Sequence, residues 1–406
     1  MMFLHVVYNY SNYPLNNLLI FIIIFSAYVF FVIVPMTLYN NPNPRVLVGL
    51  KNHYAPFIIA LFLQIKLNSE CKLIRFLKII TYCGIIASLY SILQVSSLIF
   101  KIFPIINQIS INYISSTYTQ SSIFSLEIFK VSGLLFNATQ NGFFTGCCFF
   151  IVLLIGNQFI RKQLTIKLIL LVLYIGVIIT LSRQILMSLH LILLFILFIK
   201  STKYNFPSKL FLKKGKYFIL FLFSAMLILS ILFYYTEYYQ YAFSISNSNE
   251  TTTKSILLEN ISNLPRTITH HIIKFPIKSL LGFGFFNGAT DKVIANQLTG
   301  VTGELHFLFE SLLKFGIIGF AIYWSFIFYS GFICWKNYKA GFVDPKNNPN
   351  LFLLGMTIIV FMMLQLIHYS PLGNSNNILF ALAIYISSNK LIRRTQYNPY
   401  NKLLID

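Results

Sequence analysis

The groups in this chain able to do chemistry stand at three places. His306, in Gly303-Glu304-Leu305-His306-Phe307, closes a long polar stretch and opens an apolar run. An imidazole there can take a proton from an attacking hydroxyl; an inert, hydrogen-bonded interfacial histidine fits the same position equally well. Glu310 and Lys314 follow at four-residue steps, on one face if the run is helical. Lys314 would then lie about 12 Å along the axis from His306. An acid and a base inside a membrane are costly unless paired or solvated. A Glu310–Lys314 pair facing the interior is the favoured arrangement; the other is a polar wall, with Glu304, beneath a site. Arg183 lies in Thr180-Leu-Ser-Arg-Gln184. Its guanidinium fork suits phosphate oxygens, although an arginine snorkelling to an interface is the common alternative. His190, seven residues on, is expected to be a packed polar contact. Arg266 follows Pro265 at the start of an amphipathic stretch, where a cation beside free helix amides would form an anion site.

The ten carboxylates form no Asp-x-Asp or Glu-x-x-His pattern. A divalent metal on an acidic pair is therefore not expected. A reaction without metal or cofactor, on a substrate that brings its own leaving group, fits better.

These groups must be positioned by a membrane protein. The chain is 57% hydrophobic and only 10% charged, which places it among polytopic helical proteins. Apolar runs lie at about 15–38, 54–65, 77–100, 142–160, 165–181, 184–199, 217–234, 307–334, 351–370 and 378–389. The expected class is an all-α integral membrane protein of about 10–12 transmembrane helices with one large loop containing short helices. The first run is too long for a cleaved signal peptide. The five cysteines fall in or beside apolar segments, so neither a disulfide framework nor a metal site is expected.

Segments 66–78, 161–167, 200–216, 336–346 and 390–402 carry 20 of the 31 lysines and arginines. They fall on one side if the runs alternate, and the positive-inside rule makes that side cytoplasmic. The net charge of +21 then marks contact with anionic lipid rather than nucleic acid. Arg45 and Lys51 are the misfit, so the first two helices are the least fixed. The outer face receives 101–141, the tight turn Ser182-Arg183, and the loop 235–305, whose five bases balance five acids. Pro265 is expected to start a helix lying on the membrane surface, and Gly282-Phe-Gly284 to turn the chain. The organisation is 1–141, N-terminal helices and outer loop; 142–234, central helices with the Ser-Arg turn; 235–305, the large loop; and 306–406, C-terminal helices with a basic tail.

The order of these pieces is familiar. Val131-Ser-Gly-Leu-Leu-Phe-Asn-Ala-Thr-Gln-Asn141 opens a helix, Leu181-Ser-Arg-Gln184 joins two more, and Arg266 precedes Phe275-Pro276 and Leu281-Gly-Phe-Gly284. His306 follows, then Gly316 and Gly319. Over about 130–335 the chain resembles the bacterial O-antigen ligase and Wzy-type O-antigen polymerase superfamily. That resemblance implies an inner-membrane transferase with a periplasmic loop and active site, using a glycan on undecaprenyl pyrophosphate and no metal. It implies pyrophosphate binding by Arg183 and Arg266 and assistance to the acceptor hydroxyl by His306. The acceptor would be a growing glycan, or lipid A core in a ligase, with a chain-length regulator as a further partner. Phe307 after the histidine, and a glycine pair one residue closer than in ligases, tilt the choice to polymerase. A transporter or flippase is the reading from another class. The long outer loop counts against it, because carriers keep their polar groups at the midplane.

Overall fold

The computed structural model describes residues 17–40, 50–67, 69–100, 120–123, 126–129, 133–135, 138–180, 182–203, 276–282, 284, 307–341, 348–366 and 376–388. Helix α1 (Asn17–Tyr28) runs through a π-helical turn (Val29–Ile33) into α2 (Val34–Asn40). Pro35 explains the wide turn: it has no amide to bond back along the helix, and its ring crowds the carbonyl four residues earlier. Then come α3 (Leu50–Lys66), α4 (Glu70–Phe100), α5 (Ala138–Ile155), α6 (Gln163–Ile179) and α7 (Arg183–Lys203). A short α8 (Pro276–Leu281) precedes α9 (Phe307–Ala340), α10 (Pro349–Leu366) and α11 (Asn377–Ser388).

The helical class is therefore met, with one addition. Strands β1 (Gln120–Ile123) and β2 (Leu126–Phe129) pair antiparallel, Gln120 opposite Phe129 and Ile123 opposite Leu126. The apolar run at 217–234 and the helix expected from Pro265 lie outside the described residues.

Among the described residues, four helical stretches are long and apolar enough to cross a membrane: Asn17–Tyr39, Glu70–Ser97, Thr139–Gln158 and Lys314–Ala340. Five shorter apolar helical stretches accompany them: His53–Lys66, Gln163–Ile179, Ile185–Ile199, Pro349–Gln365 and Asn377–Ser388. The outer surface is what a lipid solvent selects. On α4, Ile79, Tyr82, Ile86, Leu89 and Leu93 form one exposed stripe at helical spacing. Helix α7 exposes Met187, Leu191, Leu194 and Phe198 in the same way. A water-soluble protein rarely leaves such continuous apolar surface uncovered.

Inside lie α5, α10 and α11. Every residue from Leu379 to Ile386 is buried, as is every one from Leu351 to Ile359. Helix α11 is only about 18 Å long, well short of a hydrocarbon core of about 30 Å. It is tolerated because neighbours, not lipid, enclose it: Phe57 of α3 packs edge-on to Phe380, and Gly355 of α10 lies against Ile386.

Cross-helix contacts fix two ends of the bundle. Asn348 before α10 donates to Glu70 at the start of α4 (2.8 Å). Tyr385 near the end of α11 donates to the Leu67 carbonyl just after α3, and Gln64 donates to Ser388. The helix ends adjoining segments 66–78, 336–346 and 390–402 thus meet. Helices α4 and α5 run antiparallel, joined at Ile80–Cys148 and Ser91–Asn141, and α6 packs antiparallel to α7 through Tyr174–His190. The starts of α5 and α7 therefore lie at the end opposite the basic segments.

Candidate functional site

Two structural knots occupy that opposite end. The first joins the chain leaving the large loop to α9. Helix α8 opens on Pro276, whose missing amide costs nothing in a first turn. Gly282 closes it with φ +91°, its amide donating to the Lys278 carbonyl (2.7 Å). A side chain on Gly282 would run into the backbone of α9, where its Cβ would stand 2.6 Å from the Phe315 carbonyl carbon.

Helix α9 is broken at this point. Gly316 has φ 64° and ψ −179°, a conformation open essentially to glycine alone. The carbonyls freed by the break find new donors: the Gly284 amide bonds Lys314 O (3.1 Å), and the Tyr28 hydroxyl reaches Phe315 O (2.8 Å) as well as Leu281 O (2.9 Å) at the end of α8. Non-helical backbone at membrane depth persists only where neighbours satisfy it in this way.

The break is sharp. Trp324 Nε1 donates to Ser311 Oγ (3.4 Å), although thirteen residues of straight helix would separate them by about 20 Å. The outer segment Phe307–Phe315 is thus folded back on the rest of α9. The apolar run predicts one helix across 307–334, with Gly316 and Gly319 admitting close packing. Gly319 does so, against the Tyr28 ring, but Gly316 ends one helix and starts another because the loop backbone occupies its Cβ position.

The second knot surrounds the Ser-Arg turn. Helix α6 ends at Ile179, Thr180 donates to the Val177 carbonyl (2.7 Å), and α7 starts at Arg183, as the sequence indicated. Thr180 and Ser182 are buried. The first turn of α5 lies alongside, with Gly142 close to Thr180 and Ile185. Asn141 Nδ2 donates to Ser91 Oγ (3.0 Å), and the Gly133 amide donates to Gln94 Oε1 (3.1 Å). Asn376, leading α11, donates to the Gln140 carbonyl (3.5 Å). The starts of α5, α7 and α11 thus gather at this end, and helix N-termini carry partial positive charge. The buried oxygens Asn141 Oδ1, Thr145 Oγ1, Asn376 Oδ1 and Asn377 Oδ1 have no hydrogen-bond partner. Tyr323 Oη, Ser330 Oγ and Thr357 Oγ1 are likewise unpartnered deeper in the bundle.

His306, Arg266 and Glu304 lie outside the described residues, as do the side chains of Arg183 and Glu310. The backbone sets Arg183 as the first residue of α7 and Phe307, next to His306, as the first of α9. Lys314 is half-buried, two residues ahead of Gly316. His190 is the packed contact expected: its Nδ1 meets the Leu186 carbonyl at 2.7 Å and its Nε2 the Tyr174 hydroxyl at 3.0 Å. A carbonyl only accepts, so Nδ1 carries the proton there.

Two residues of the first knot carry almost no sequence signal. Tyr28 is one of 25 tyrosines and sits in an apolar run without any motif. His53, buried at the start of α3, stands edge-on to Phe315 (4.9 Å) and within electrostatic reach of Lys314. Its one sequence signal is a histidine beside Lys51 at the head of an apolar run. Among the described residues, no three His, Cys, Asp or Glu side chains gather as metal ligands would.

No protein-family model, no curated protein and no solved structure matches the chain.

Proposed function

We propose that the chain is a metal-independent glycosyltransferase of the bacterial inner membrane. It polymerises O-antigen or capsular repeat units carried on undecaprenyl pyrophosphate, with the basic end cytoplasmic and the opposite end facing the periplasm. One observation supports this most: the Ser182-Arg183 turn opens α7 beside the first turn of α5, at the bundle end opposite the basic segments. An arginine at gathered helix N-termini suits a pyrophosphate.

In this reaction a sugar hydroxyl of the acceptor attacks the anomeric carbon of the donor glycan. The new glycosidic bond forms as the bond from that carbon to the pyrophosphate oxygen breaks. The electron pair leaves with the pyrophosphate, whose charge Arg183 and Arg266 offset. His306 takes the hydroxyl proton. General-base assistance of this kind contributes about 10²–10⁴-fold.

The test is a gel of lipopolysaccharide, with its lipid-linked glycans, from a host lacking the chain and complemented with His306→Ala or Arg183→Ala. Core bearing one repeat unit and no ladder is the expected result, with both variants still inserted in the membrane. Bare core with long glycan stranded on the carrier would assign the chain as a ligase. A normal ladder from either variant would remove that residue from the site.

A further inference from the structure

The break at Gly316 leaves the outer segment of α9 without the usual source of orientation. In a continuous helix each turn inherits its direction from the hydrogen-bond ladder below it. Here the ladder is interrupted, so Phe307–Phe315 takes its direction from side contacts. Among the described residues, the Phe315 ring packs on Phe25, His53 and Tyr323, and three polar contacts direct the segment: the Gly284 amide on Lys314 O, the Trp324 indole on Ser311, and the Tyr28 hydroxyl on Phe315 O.

Tyr28 differs from the other two because it ties three elements at once. Its single hydroxyl proton is shared between Leu281 O, the last residue of α8, and Phe315 O, the last residue before the break. Its ring lies on Gly319, just beyond the break. The π-helical turn that follows Tyr28 has a consequence here. At about 100° per residue, Tyr28 and Thr37 would point to opposite sides of a regular α-helix. The wider turn takes up part of that difference, and the backbone of Thr37 also meets the loop: a Cβ on Gly284 would stand 2.7 Å from Thr37 Cα. The first membrane helix thus grips the end of the large loop at two points.

We propose that Tyr28 is a positioning residue, a clamp that holds the folded-back outer segment of α9, Phe307–Phe315, against Gly282 and Gly284. Its role in turnover rests on the glycosyltransferase reading; its role as a clamp does not. Tyr28→Phe keeps the ring and removes only the shared hydroxyl.

Two measurements test the clamp. Ser311 is buried, so Ser311→Cys in a Cys71→Ser, Cys83→Ser background places a shielded thiol on the outer segment. The remaining native thiols, Cys147, Cys148 and Cys334, are fully buried and report general unfolding. Adding Tyr28→Phe is expected to raise maleimide labelling of Cys at 311 at least about fivefold while the native thiols stay silent. An unchanged rate, or labelling of the native thiols as well, would overturn the clamp. In purified protein with lipid-linked donor, Tyr28→Phe is expected to lower kcat about tenfold with donor KM unchanged. Equal loss in kcat and thermal stability would mark Tyr28 as structural only. If His306→Ala kept full activity the site would be wrong, and the labelling result would still decide the clamp.

Discussion

The two ends of the bundle are built in different ways. At the basic end, polar side chains tie helix ends together and cations lie on aromatic faces: Glu70 with Asn348, Gln64 with Ser388, Lys66 near the Phe62 ring and Lys339 over Trp335. Long side chains there can shift without disturbing the backbone. At the other end, backbone touches backbone. Among the described residues, the four glycines of positive φ (Gly133, Gly282, Gly284 and Gly316) are found there, with the broken helix and the orphaned oxygens of Asn141, Asn376 and Asn377. Backbone strain of this kind lowers stability and tends to cluster at functional sites. One end anchors; the other is where the proposed site lies.

The largest effect that would sharpen this contrast is at Gly282. Replacing it by alanine combines a left-handed residue, about 1–2 kcal/mol, with overlap onto the fixed backbone of α9, about 1–3 kcal/mol of overpacking. Gly133→Ala is the matched control. It also has positive φ, but the atoms in its way are the side chains of Asn141 and Ser91, which can turn aside. A thermal melt in detergent should show Gly282→Ala destabilised by about 2–5 kcal/mol and Gly133→Ala by about half as much. Equal losses would mean that the loop–α9 contact is no more rigid than its neighbour.

Much of this organisation was legible in the residues. Helix ends followed the apolar runs, Ser182-Arg183 marked a junction, and Gly282-Phe-Gly284 turned the chain. The Gly316 break was not, because a glycine inside an apolar run reads the same whether it packs against a ring or admits a strand. Only the approach of Gly282, more than thirty residues earlier, separates the two. The burial of α10 and α11 was hidden for a different reason. In lipid the solvent-facing and core-facing sides of a helix are equally apolar, so no stripe distinguishes an enclosed helix from an exposed one. The hairpin at 120–129 was missed because four-residue strands give little pattern to read.

A smaller effect is expected at Asn141. Asn141→Leu loses the hydrogen bond to Ser91, ordinarily worth about 1 kcal/mol. It also removes the orphaned Oδ1, and Ser91 keeps its own bond to the Ala87 carbonyl (2.9 Å). The two changes offset, so stability should move by less than about 1 kcal/mol. Glycan assembly should nonetheless fall, because that buried oxygen and its neighbours are what the proposed site keeps unpartnered. A loss well above this, with activity intact, would make Asn141 an ordinary structural residue and blur the difference between the ends.

The smallest effect belongs to the basic end. Lys339 Nζ lies 4.7 Å from the centre of the Trp335 ring, which itself stacks on Tyr338. Exposed cation–π pairs contribute about 0.5–1 kcal/mol, and an exposed lysine beside anionic lipid keeps its membrane attraction wherever its tail points. Lys339→Ala should therefore cost at most about 0.5–1 kcal/mol in the melt and leave glycan length untouched. Lys339→Met, which retains the aliphatic stem over the ring, should recover part of that loss. If Lys339→Ala instead shortened the glycan ladder at unchanged protein level, the basic end would be coupled to the reaction through α9, whose far segment leads to His306. The anchor and the site would then be two ends of one lever.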